Sequence, residues 1–160
     1  MKQRSKRIMI SVATAVAVII AVGAAVAWHL STRLPEGLVI PAGWTVVKVR
    51  HNPSPSFEDT YWYVRLRSPD SPKSSVETMR KEIFRWQGSY GESMKGAEPI
   101  PAAELATPWG DPFALRHMLD RSRYTRGWKI TCGGSPRFIV CYAFEDNGGS
   151  VLELISFSSL

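Results

Sequence analysis

From Ile8 to Trp28 the chain reads IMISVATAVAVIIAVGAAVAW, 21 residues without a charge, and this segment constrains the protein more than any other. As a helix it rises ~31 Å at ~1.5 Å per residue, which matches the ~30 Å hydrocarbon core of a bilayer. A soluble core helix is seldom apolar on every side over such a length. The β-branched Val and Ile cost little in a bilayer, which forces backbone hydrogen bonds inside the segment. Trp28 followed by His29 suits the water interface. The segment therefore reads as a transmembrane helix over 8–28.

A removed signal peptide competes with a retained anchor. Ala25-Val26-Ala27 offers the small residues of a cleavage site, so that cutting after Ala27 would release a secreted domain. The apolar run continues to that point without a polar stretch, however, and exceeds the usual ~7–15 residues of a signal-peptide core, so retention is the expectation. Lys2, Arg4, Lys6 and Arg7 precede the span, whereas Arg33 alone follows it closely. The positive-inside rule then places residues 1–7 in the cytoplasm and 29–160 outside.

Those four cations change the meaning of the net charge. The chain carries 20 Lys and Arg against 14 Asp and Glu, a formal +6, but residues 29–160 keep only 16 against 14. With the basic excess spent on topology, and the domain placed outside the cytoplasm, no nucleic-acid ligand is expected, and anionic envelope material or another envelope protein is the expected partner.

Residues 29–43, with two Pro and two Gly, read as a stalk leading to one domain over 44–160. Strands are expected at 44–50 and 60–67, where residues alternate between two faces. Trp62, Val64 and Leu66 are expected to face a core, and Tyr61, Tyr63, Arg65 and Arg67 the other side. A helix is expected from Ser74, with Glu77 completing a capping box and Val76, Met79, Ile83 and Trp86 at helical spacing, ended by Gly88. Residues 88–112 hold four Pro and four Gly and read as a long loop with one helical turn at Ala102–Ala106. Asp111-Pro112 can start a further short helix with Leu115, Met118 and Leu119 on one side, although a strand would also fit there. Strands at 128–132, 137–144 and 151–157 follow, separated by GGSP and EDNGG turns. The fold class is α+β: a mainly antiparallel sheet of about five strands with one amphipathic helix on it.

Cys132 and Cys141 lie in the exported part, on either side of a tight turn, and a disulfide across that hairpin is the expectation. Their spacing is no metal signature, and no cofactor is implied. The sequence lacks GxSxG, HExxH, P-loop and GxGxxG patterns. An envelope hydrolase using His117 with acids of the 88–112 loop is the alternative to a non-catalytic binding module.

Two candidate binding surfaces remain. One is the face carrying Tyr61, Tyr63, Arg65 and Arg67, because aromatics and arginine anchor interfaces. The other is 116–129, where Arg116, Arg121, Arg123, Arg126 and Lys129 stand against Asp120 alone. That basic stretch and the acidic 90–111 stretch either meet partners or pair with each other.

Overall fold

The computed structural model describes residues 2–53, 59–87, 94–106, 118–134 and 137–159. A long helix α1 (Lys2–Thr32) precedes strands β1 (Thr45–Pro53) and β2 (Asp59–Ser68), helix α2 (Pro72–Gln87), a two-residue strand β3 (Glu98–Pro99) and a single-turn helix α3 (Ala102–Ala106). A 3-10 turn at Arg121–Arg123 then leads into β4 (Gly127–Gly134), β5 (Arg137–Asp146) and β6 (Gly149–Ser159). The strands form one antiparallel sheet in the order β1-β2-β6-β5-β4-β3. The fold class is therefore α+β, with six strands among the described residues where about five were expected. The added strand comes from the Pro-rich 88–112 stretch, where Glu98 and Pro99 pair with Lys129 and Trp128. Two residues are too short for an alternating pattern to show.

Alternation along β2 sets the layers. Val64 and Leu66 point to one face, where they meet Val76, Met79 and Ile83 of α2 together with Leu152, Leu154, Ile139 and Ile130. α2 begins at Pro72 rather than Ser74, because proline is preorganised for the first helical turn and its missing N–H costs nothing there. Glu77 does not close a capping box: it ion-pairs with Arg80 and accepts a hydrogen bond from the Ala97 amide at 3.1 Å. A buried hydroxyl chain ties the start of α2 to the sheet, with Ser75 Oγ 2.7 Å from Ser150 Oγ and donating to Ser68 Oγ at 2.9 Å.

The other face is buried too. Tyr63, Val140, Tyr142, Phe144, Val151 and Ile155 pack under Ile100, Leu105, Met118, Leu119 and Tyr124. The chain between β3 and β4 thus roofs the face expected to be open. Leu34, Leu38 and Ile40 of the stalk pack on the α2-side core, and the Trp86 indole donates to the Glu36 carbonyl at 2.8 Å.

α1 differs from every other element. Val16, Val18, Ile19, Ile20, Val22, Val26 and Trp28 are each at least 50% exposed. Among the described residues no helix is long and apolar enough to cross a membrane. The helix meets the domain at β1, where the Arg50 guanidinium lies 5.5 Å from the Trp28 ring centre.

Cys132 and Cys141 are buried and not bridged to each other. The expected disulfide is corrected by register: Cys132 stands opposite Ile139, and Cys141 opposite Ile130. The two are diagonal, which sets such positions about 7–8 Å apart, beyond the reach of about 4.4–6.8 Å that a disulfide needs. They serve instead as small apolar side chains of the α2-side core.

Candidate functional site

The roofed face carries one polar residue per strand in a single cross-strand row. Lys48 of β1 pairs with Arg65 of β2, and Arg65 with Glu153 of β6. Glu153 in turn pairs with Tyr142 of β5, Tyr142 with Lys129 of β4, and Lys129 with Glu98 of β3. Period-two alternation puts each of these side chains on the same face.

Glu153 is the centre of the row and is fully buried. Its Oε1 accepts from the Tyr63 hydroxyl at 2.6 Å and from the Leu119 amide at 2.5 Å. Arg121 comes down from the roof, 5% exposed, with Nε 3.5 Å from Glu153 Oε2 and its guanidinium 3.8 Å from the centre of the Tyr142 ring. Arg65 Nε donates to the Tyr63 hydroxyl at 2.9 Å, and its Nη2 lies 3.8 Å from Glu153 Oε1. Arg121 is held by charge and by the ring face more than by directed hydrogen bonds. Its Nε and Nη1, and Glu153 Oε2, have no hydrogen-bond partner among the described residues.

Burial pushes the Tyr63 phenol well above its ordinary value, and the neighbouring Glu153 carboxylate pushes it further. Tyr63 is therefore a permanent donor. Burial also raises Tyr142, against the opposing charge of Arg121. At the far end of the row burial lowers Lys129, but Glu104 and Glu98 outweigh it and hold the amine protonated, with Nζ 2.5 Å from Glu104 Oε2. Here the acidic and basic stretches pair with each other.

This cluster fastens the roof to the sheet. A carboxylate with no exposed surface, already contacting a phenol, an amide and a guanidinium, is closed to substrate in this conformation. Among the described residues no group of His, Cys, Asp and Glu is placed to hold a metal ion.

The structure redistributes the expected binding residues. Tyr63 and Arg121 are buried, so neither presents a surface; the reading of them as exposed is corrected by the roof over their face. Arg65 is largely covered by the same cluster. Tyr61 is half-buried in an aromatic row, 5.9 Å from Phe157, which is 5.0 Å from Phe138. Arg67, Arg123 and Arg126 are exposed. Arg67 pairs with Asp146 at 3.2 Å and Arg123 with Asp120 at 3.1 Å. Ser122 and Arg123 hold the Asp120 carboxyl below the usual range. Arg116, His117 and most of the short helix expected from Asp111-Pro112 lie outside the described residues.

Arg67 and Arg126 share one end of the sheet. Arg67 stands in the cross-strand row that runs through Val151 and Phe144 to Gly127, the residue after Arg126. Three inter-strand steps of ~4.8 Å separate them by roughly 14 Å. The same end holds an open cleft of about 420 Å³ lined by Gly43, Thr45, Arg67, Ser68, Asp146 and the Asn147–Gly149 turn. Asn147 and Gly148 have φ of 41° and 85°, left-handed values suited to that tight turn.

Sequence reasoning passed over Glu153, although a signal was present. It is the one charge in the strand VLELISF, flanked on both sides by apolar residues. Such a residue in a sheet buried on both faces needs charged partners from elsewhere. No protein-family model matches the chain, and no curated protein matches it.

Proposed function

We propose that the protein is a single-pass, membrane-anchored, non-catalytic binding module of the cell envelope, with its N-terminus in the cytoplasm and its α+β domain outside. The observation that carries this reading is the exposure of α1. At 100° per residue, Val16, Val18, Ile19, Ile20, Val22, Val26 and Trp28 fall all round the helix, and each is at least half exposed. A stripe would suit a partner helix or a core; apolar side chains on every side suit lipid. Among the described residues no helix is long and apolar enough to cross a membrane, so length and orientation are taken from the sequence, from the uncharged run Ile8–Trp28 and the four cations before it.

Binding is assigned to the sheet end away from α1, where Arg67, Arg126 and the cleft lie together. Arg50, which meets α1, stands five residues beyond Thr45 at that rim, about 17 Å along β1. The partner is another envelope protein or anionic envelope material.

The test is membrane fractionation with an alkaline wash, a topology reporter after Leu160, and photo-cross-linkers placed at Arg126 and, as a control, at Lys81 on α2. The chain stays in the membrane, the reporter is active outside, and adducts form from Arg126 alone. Release by the alkaline wash, or a reporter active only in the cytoplasm, overturns the anchor. Equal adducts from both positions overturn the rim.

A further inference from the structure

The polar row across the roofed face alternates in sign from Arg65 through Glu153 to Lys129 and Glu98, and breaks that pattern at its β1 end. Lys48 stands directly opposite Arg65, two cations on neighbouring strands. Like charges so placed destabilise a sheet. Arg50, two residues on and on the same face of β1, extends the cationic strip by about 7 Å. The carboxylate whose charge acts on the Lys48 amine is Glu153, and Tyr63, Arg65 and Arg121 already contact it. Burial lowers the Lys48 amine, and repulsion from Arg65 and Arg50 lowers it further. β1 is the edge of the sheet, so among the described residues the strip has no further strand beside it.

The position of the strip says what could compensate it. The Arg50 guanidinium lies 5.5 Å from the Trp28 ring, and Trp28, itself 65% exposed, ends the apolar run of α1. Tryptophan at the end of an apolar helix sits at the headgroup level of a bilayer. A cation beside it meets lipid phosphate, where each Lys or Arg close to an anionic surface adds attraction.

We propose that Lys48 and Arg50, with Arg65 behind them, form a strip that binds the phosphate of anionic lipid headgroups in the membrane that holds α1. The strip rests on the anchored reading of α1. It lays the β1 edge against the bilayer and leaves the rim of Arg67 and Arg126 facing away. The mismatch of charge on β1 is then a feature completed by lipid.

The full chain is placed in nanodiscs of phosphatidylcholine alone and of phosphatidylcholine with phosphatidylglycerol, and the thermal midpoint of the sheet domain is read by near-ultraviolet circular dichroism. Anionic lipid raises the wild-type midpoint by about 5 °C. The double variant Lys48→Met/Arg50→Met melts at or above wild type in neutral nanodiscs, because repulsion is relieved, and shows no lipid shift. Arg126→Met keeps the shift. A chain that enters both nanodiscs and melts equally in them overturns the strip alone, as does a double variant that keeps the shift. A chain that stays out of neutral nanodiscs overturns the anchor and the strip together. Inorganic phosphate in neutral nanodiscs is the remaining arm: if it matches the anionic lipid, the strip takes a free anion and the headgroup assignment falls.

Discussion

Replacing Glu153 by Gln tests the central claim about what holds the two layers together. The change is nearly isosteric. A Gln carbonyl can still accept from the Tyr63 hydroxyl and the Leu119 amide, which both bond Oε1. What it removes is the countercharge of Arg121, whose side chain is 4% exposed. Breaking a buried pair by removing one partner costs about 3–5 kcal/mol, because the remaining charge stays buried. Stacking on Tyr142 at 3.8 Å remains and offsets part of this, by ~1–2 kcal/mol for a desolvated guanidinium. The expected loss is thus about 3 kcal/mol, or roughly 10 °C in midpoint for a domain of this size. Adding Arg121→Met to Glu153→Gln removes the orphaned cation while keeping the acceptor, so the double variant regains at least half of the loss. Thermal unfolding of the full chain in detergent micelles, followed by tryptophan fluorescence, measures both. A single variant within about 2 °C of wild type, or a double variant no better than the single one, would refute the account of Glu153 as the neutralising centre of the roof.

Four further outcomes follow from named contacts. Tyr63, raised in the folded state above an unfolded value of about 10, contributes stability that is fully present below that pH and is lost as pH rises further. Alkaline titration by absorbance should therefore show one fewer tyrosine that ionises only on unfolding in Tyr63→Phe than in the wild type. Burial and the Glu153 carboxylate push the Cys141 thiol up, so maleimide should label it only after denaturation; an intact mass short of two hydrogens would contradict the separate thiols. A Cβ at Gly149 would run into the Ser68 carbonyl oxygen and the Pro69 backbone, so Gly149→Ala should lower stability by about 2 kcal/mol or more in urea titration. Ser75→Ala leaves the buried Ser68 and Ser150 hydroxyls without their shared partner, at a cost of about 1–3 kcal/mol by the same measurement.

The secondary structure was largely legible because each element advertises itself over a short window. Period-two alternation marked β1 and β2, helical spacing marked α2, and Gly-rich turns separated the last three strands. The single turn at Ala102–Ala106 was readable from its neighbours, since prolines bracket it. Errors came where the information was not local. The two-residue β3 exists because β4 offers it an edge, and α2 starts early because Pro72 needs no hydrogen bond at that position. The cysteines suggested a bridge on spacing alone, but a one-step difference in register decides whether two side chains are opposite or diagonal.

What the sequence determined by itself is a matter of composition and period: an uncharged run of bilayer length behind a basic tail, then alternating strands and one amphipathic helix. Those signals depend on residues near one another along the chain. That both faces of the sheet are covered was decided by the tertiary structure, because alternation tells that two faces exist and not what lies on each. Residues 100–105 and 118–124 cover the Tyr63 face, and that cover turns Arg121 from a surface cation into the partner of Glu153, 32 residues away. Desolvation does the rest: the same arginine and glutamate, cheap in water, become the groups on which the roof depends.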